Sequence, residues 1–275
     1  MEEHTAVRRL VRAVCVLDGV GATATADGVL APGCSCGAAV GWPEVARLLR
    51  DDDPITPAPR RRLALLLELH HAVEVLGPAA TEVLARALRP LALPAGHLLH
   101  PGPEWVHERV PGDVLDVGLG VWRLLPGDDE PVPLPPSVIR SAQLDPTAVW
   151  AALRPLTERL ACFAIDRAEA GGTPPRALAG VGGADALTML TVPAVRAWLA
   201  GLEPGPPTTA RPEAPAVSAP RRDRVWIGTA AADQDYARAV WLLTAPARRG
   251  LPEPLTVATE RVTRTPATRD HAHQQ

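Results

Sequence analysis

The stretch Val114-Leu115-Asp116-Val117-Gly118-Leu119-Gly120-Val121-Trp122 decides the fold class of this 275-residue chain. Its Val and Leu positions alternate enough to predict a strand, or a hairpin bulged around Gly118 and Gly120. Branched apolar residues suit a pleated backbone, and glycine inside a strand marks a bulge or a close approach. Arg123-Leu124-Leu125-Pro126-Gly127 follows, and it does not read as a helix. A parallel, doubly wound sheet needs a crossover helix after such a strand. Its absence here points to an α+β fold, with a predominantly helical N-terminal half and a C-terminal half holding a small sheet flanked by helices.

Toward the N-terminus, residues 93–112 read as irregular, with a helical turn at 104–109. Residues 60–76 and 78–91 predict two helices hinged at Gly77, and a shorter one runs from Pro43 to Leu49. Residues 20–41 read as a loop with a short strand at Val29-Leu30. Val7, Leu10, Val11 and Val14 recur at helical spacing ahead of Gly19. Toward the C-terminus, 126–136 is a proline-rich loop and 147–168 a helix that Pro155 should kink or split. Asp185 can cap a short helix, and Thr191-Val192-Pro193 opens another ending at Gly201. Strands are expected at 225–228 and 255–262 and a helix at 230–244, while 214–219 is either low-complexity chain or an edge strand. This divides the chain into a helical region 1–95, an α+β domain 96–264 with proline-rich loops at 126–136 and 203–213, and a disordered tail 265–275.

The 28 basic residues are all Arg, set against 31 acids for a net charge of −3, and the chain has no Lys and no Asn. With 22 Gly and 31 Pro, this is the vocabulary of a GC-rich genome, which produces glycine motifs by chance. A 47% hydrophobic fraction can bury a core, so global disorder is excluded. The charge balance offers no field to hold a polyanion. The one basic cluster, Arg221-Arg222-Asp223-Arg224, is shorter than the runs that suggest nucleic-acid binding, so no nucleic acid is expected. No membrane contact is expected either, because charged residues and histidines interrupt the longest apolar run, 63–76. The N-terminus lacks a leader pattern. Four Cys are too few for a disulfide scaffold, and a cytoplasmic protein with reduced thiols is expected.

Four constellations could carry chemistry. Cys34 and Cys36, with His97, His100 and His107, are the types that hold zinc in a tetrahedral site. The one-residue gap between the thiols departs from the usual Cys-x2–4-Cys spacing. Their competing role is as small apolar and loop-surface side chains. Gly33-Cys34-Ser35-Cys36-Gly37 matches the nucleophile elbow in letters, but lacks the strand before it and the helix after it. Asp116-Val117-Gly118-Leu119-Gly120 resembles the methyl-donor loop of Rossmann-like methyltransferases, with Trp122 where that family has its third glycine. Finally, His70-His71 lies on the strongest helix. Adjacent positions point about 100° apart, so only one of the two can face a core, where a buried histidine is the commoner outcome than a base.

His100-Pro-Gly-Pro-Glu-Trp-Val106, the strand at 114–120, Gly183-Ala-Asp-Ala-Leu-Thr-Met-Leu190 and Pro254-Leu-Thr-Val-Ala-Thr-Glu-Arg-Val262 together resemble uncharacterised hypothetical proteins of high-GC Gram-positive bacteria. The likeness covers residues 97–264 and carries no assigned activity. It implies that the glycine motif belongs to a structural core and that 214–219 is a strand. No constellation combines a specific spacing with the flanking structure its chemistry needs. The expectation is therefore a non-catalytic protein working through protein–protein contacts. A zinc-binding enzyme or sensor at Cys34, Cys36, His97, His100 and His107 is the alternative, and a methyltransferase relative is the second alternative. Trp42, Trp105 and Trp226, at element junctions, are types enriched at interface hot spots.

Overall fold

Proline and apolar spacing set the helices. The computed structural model describes residues 2–31, 40–95, 97–105, 107–125, 131–172, 175–202, 216–228, 234–242, 250–251 and 253–265. Helix α1 (Glu2–Leu17) buries Val7, Leu10, Val11 and Val14, the positions its spacing selects. Strands β1 (Thr23–Ala24), β2 (Gly28–Leu30) and β3 (Val40–Gly41) form an antiparallel sheet in that order. Helix α2 (Trp42–Leu49) opens with Pro43 in its first turn, and α3 (Pro57–Leu76) opens on Pro57, where a missing amide hydrogen costs nothing. A 3-10 turn at Gly77–Ala79 leads into α4 (Ala80–Ala87).

The expected helix over 78–91 is corrected here: it stops at Ala87, and β4 (Leu88–Pro94) takes over. Pro90 and Pro94 account for this. Each lacks the N–H a helix needs and pushes the preceding residue toward extended backbone. The strand sits at the edge of its sheet, where proline is tolerated. The helical turn expected at 104–109 is likewise corrected, because β5 (His107–Arg109) is extended there. Leu115–Val121 is a single strand, β6, rather than a hairpin, and it pairs antiparallel with β7 (Val132–Pro133) at Gly120↔Pro133 and Val121↔Val132. The sheet order is β4-β6-β5, with β7 on β6. Helices α5 (Pro136–Ser141) and α6 (Pro146–Ala170) follow, and α6 is assigned without interruption across Pro155.

The remaining elements are β8 (Ala177–Ala179), α7 (Ala186–Met189), α8 (Pro193–Gly201), β9 (Ala216–Ser218), β10 (Arg224–Ile227), α9 (Gln234–Leu242), β11 (Leu255–Ala258) and β12 (Arg261–Arg264). Five of them form an antiparallel sheet ordered β12-β11-β9-β10-β8. The stretch 255–262 is thus part of a hairpin turning at Thr259-Glu260, and 216–218 is a strand inside the sheet. The class is α+β, as the sequence predicts.

The chain forms two units interleaved in sequence. The first is drawn from Met1–Leu91, Gly96–His107 and Gly118–Arg154, the second from Ala92–Ala95, Glu108–Val117 and Pro155–Gln275. In the first unit, α3 is the central element and buries Leu63, Leu66, Leu67 and Leu69. The helical run 57–87 is apolar and long enough to cross a membrane by length and composition, and half of its most apolar window is buried inside the protein. In the second unit, Leu178, Val217, Val225, Leu255 and Val257 of the sheet pack with Leu187, Val195 and Leu199 of the helices.

Gly120 has a packing cause. A Cβ there would stand 2.7 Å from Leu91 Cβ and 3.2 Å from the Val132 carbonyl oxygen, so the bare backbone is what lets these strands approach.

Candidate binding cleft

A cleft of about 270 Å³ in the first unit could hold a ligand. Its floor is made by α2 and α3, and it exists because Arg62 fastens one to the other. The Arg62 side chain is 4% exposed and reaches the Asp52 carboxylate at 2.6 Å. Its Nε donates to the Leu48 carbonyl at 2.9 Å and its Nη1 to that of Leu98 at 3.2 Å. The bond to Leu48, with one from Nη2 to the Leu49 carbonyl at 3.5 Å, satisfies last-turn carbonyls of α2 that have no helical partner. The Asp52 carboxylate neutralises a charge that burial would otherwise penalise heavily. Leu48, Leu65 and Leu66 then present an apolar surface beside this clamp.

The walls are unusual in their hydrogen-bonding capacity. Pro101, Pro103, Pro133, Pro135 and Pro136 all line the cleft, and proline has no N–H to offer. The donors available to an occupant therefore come chiefly from arginine side chains. Arg47 is matched by Glu104 at 3.2 Å, and Arg62 by Asp52. Arg50, at the C-cap of α2, is solvent-exposed and donates to the His100 carbonyl, its one hydrogen bond among the described residues. A guanidinium has five N–H groups, so most of its capacity is open. Partial burial lowers the Arg50 pKa first, the neighbouring Arg62 charge lowers it further, and Asp52 pulls it back up. Glu44, in the first turn of α2, lies at the other end of the helix and about 9 Å away by helical rise. The cleft thus has an apolar middle with a cation at one end and an acid at the other. Chemically it can bind and orient; among the described residues its lining holds two carboxylates, Glu44 and the Arg47-paired Glu104, and no serine, cysteine or histidine.

Of the residues expected to hold zinc, Cys34 and Cys36 lie outside the described residues, as does the elbow-like stretch 33–37. His97 and His100 both belong to the first unit, but each turns its Nδ1 toward its own loop. His97 Nδ1 accepts from the Leu99 N–H at 3.1 Å, and His100 Nδ1 from the Gly102 N–H at 3.0 Å. In the neutral ring an accepting Nδ1 places the proton on Nε2, so neither histidine offers the Nε2 lone pair in this arrangement. His107 is the reverse case. Its Nδ1 faces the Trp105 carbonyl at 2.5 Å, and donation there leaves Nε2 as the lone pair. The rings of His100, Trp105 and His107 form a compact trio, with His100 edge-on to His107 at 5.4 Å and Trp105 stacked on His107 at 5.5 Å. Trp105 is buried and donates its indole N–H to the Leu119 carbonyl at 2.8 Å, so it belongs to the core of this unit.

His70, not His71, is the core-facing histidine. Its Nε2 lies 3.1 Å from Ser137 Oγ and its Nδ1 3.5 Å from Ser141 Oγ. Burial, reinforced by the Arg140 charge, pushes its pKa down to about 4, so the ring is neutral near pH 7.

Sequence reasoning missed Arg50 and Arg62, and no local signal separates them from 26 other arginines. It also missed the polar anchors of the second unit. Asp185 caps α7 through the Thr188 N–H at 2.7 Å, as expected, but also holds the buried Arg222 guanidinium, whose Nε is 2.7 Å away. Arg222 in turn donates to the Ala92 carbonyl, and the Ala92 N–H donates to Thr188 Oγ1 at 2.9 Å. Asp116, 2% exposed, accepts from Arg109 Nε at 3.0 Å, which accounts for an acid inside the glycine motif and raises the Arg109 pKa.

No family model, no curated protein and no solved structure matches this chain.

Proposed function

We propose that the protein acts by binding rather than by catalysis, holding a segment of a protein partner in the cleft formed by α2, α3 and the proline loops. The observation that carries this reading is the donor set of the cleft: an apolar floor, five proline walls and one arginine whose hydrogen-bonding capacity is largely open. Pockets that bind selectively are mostly apolar with a few placed polar groups, and this one has that composition. A cytoplasmic setting is part of the same proposal and is consistent with thiols that need no oxidation.

The test is capture of a partner from native lysate at several salt concentrations, by wild type and by Leu99→Trp, which fills the cleft from its half-buried rim. A stoichiometric partner retained by wild type and lost by the folded variant supports the reading. Absence of such a partner, or one indifferent to the substitution, overturns it.

One observation favours a second reading, zinc binding with His107 as a ligand: its Nε2 lone pair is left open by the Trp105 carbonyl, and the His100 ring stands beside it. On this reading Cys34 and Cys36 supply two further ligands and His97 or His100 the fourth, once that ring gives up the bond to its own loop. Protein purified without an affinity tag would then carry close to one equivalent of zinc, and His107→Ala would lose it. A metal content below about 0.1 equivalent in both proteins removes this alternative.

A further inference from the structure

We infer that the segment the cleft takes is a chain end: an apolar C-terminal residue whose side chain seats on Leu48, Leu65 and Leu66 and whose carboxylate is held by Arg50. This rests on the docking reading above and narrows it to one class of ligand.

The walls supply the first argument. An internal segment laid through the cleft would bury main-chain carbonyls, each needing a donor, and five of the lining residues have none to give. β-Strand addition is unavailable for the same reason. A C-terminus differs because its last side chain and its carboxylate arrive together, leaving one anion to satisfy and few carbonyls to bury. Glu44, at the far end of α2, is placed to accept a peptide N–H upstream.

The second argument is the backbone of Arg50 itself. At the C-cap of α2, Arg50 has φ 51° and ψ −131°; at the C-cap of α3, Gly77 has φ 53° and ψ −128°. Two helices of this unit thus end in the same conformation. It is one that glycine adopts freely and that any residue with a Cβ resists. At Gly77 the chain uses the residue the conformation favours, and at Arg50 it does not. The arginine sits at the cleft, exposed, with one described bond, to the carbonyl of His100. A strained cation at the rim of an apolar cleft is what an anion-reading residue would look like. Arg62, by contrast, is buried and its donors are spent on Asp52 and on main-chain carbonyls.

The test is an NMR titration of wild type and Arg50→Gly. Two pools of N-acetylated hexapeptides are used, randomised upstream of a final Leu, one with a free C-terminal acid and one with a terminal amide. The acid pool is expected to shift the amide signals of Leu99, Gly102 and Glu104. The amide pool should bind at least about tenfold more weakly, the usual scale for losing a charge-assisted hydrogen bond. Arg50→Gly should abolish the preference for the acid and melt a few degrees above wild type, since glycine relieves the strain. Equal binding of the two pools overturns the inference and leaves the docking reading standing. A lower melting temperature in Arg50→Gly also overturns it, because Arg50 would then be a latch on the His100 loop. If neither pool moves the lining signals, the docking reading itself falls.

Discussion

His70 shows how much one ring can set the acid limit of this protein. Folded, its pKa lies near 4, below the ordinary histidine value of 6.5, because the buried ring prefers to stay neutral between Ser137 and Ser141. Unfolded, it protonates at its ordinary value. Its contribution to stability is therefore complete above pH 6.5 and is lost as pH falls toward 4, where the folded ring finally protonates. The shift corresponds to about 3 kcal/mol, an order-of-magnitude figure for a group only 5% exposed. Denaturant unfolding across this window should show the loss in wild type. A His70→Gln variant, with a lower starting stability, should show a flatter profile by about that amount. Equal slopes in the two proteins would mean that other groups govern the acid limit. At this scale the sequence was readable only in part. That no more than one of two adjacent histidines can face inward followed from helical geometry; which one did not, because Ser137 lies 67 positions away.

At the scale of elements, legibility follows how local the deciding force is. Helices α1 and α3 are visible because their apolar spacing and proline starts are written in the residues that form them. Strands β10 and β11 are visible because Val, Ile, Trp and Thr crowd into short runs. Strand β4 was not, since an apolar run bounded by helix suits either state until Pro90 and Pro94 are given their full weight. The four-residue helix α7 is the opposite case, too short to stand on propensity. It depends on Asp185, which both caps it and neutralises Arg222. Replacing Asp185 by Ala removes a cap worth about 1 kcal/mol and strands a buried guanidinium at a further 3–5 kcal/mol. A loss of about 4 kcal/mol in chemical denaturation is expected, and one below about 1 kcal/mol would show that α7 is held by packing alone. The cleft was illegible for a related reason. In a chain whose cations are all arginine, composition hides which one is buried, which is paired and which is free to bind. Only the folded neighbourhood of Asp52, Leu98 and His100 separates Arg62 from Arg50.

The whole molecule is defined by the path of the chain through its two units. The second unit includes residues 92–95 and 108–117 as well as everything from Pro155 onward. These short pieces are not ornamental. Ala92 accepts from Arg222, and its N–H is bonded by Thr188; Pro111 offers its carbonyl to the Val262 N–H at 2.9 Å. Gly112 lies so close to the Val262 carbonyl that a Cβ would fall 1.9 Å from its oxygen. A fragment spanning 155–265 therefore lacks partners for its own buried groups. Expressed alone, it should show poor amide dispersion and no cooperative melt, and a well-dispersed spectrum with a sharp transition would refute this.

That interleaving also orders events on the ribosome. Synthesis delivers the whole of the first unit, through Arg154, before the long run of the second has begun to emerge. The nascent chain consequently carries 92–95 and 108–117 paired only within their own small sheet, while Thr188, Arg222 and Val262, which bond them in the folded unit, are still untranslated. Codon-level slowing near residue 155 would lengthen that interval, and a chaperone that shields extended apolar chain would have its longest opportunity there.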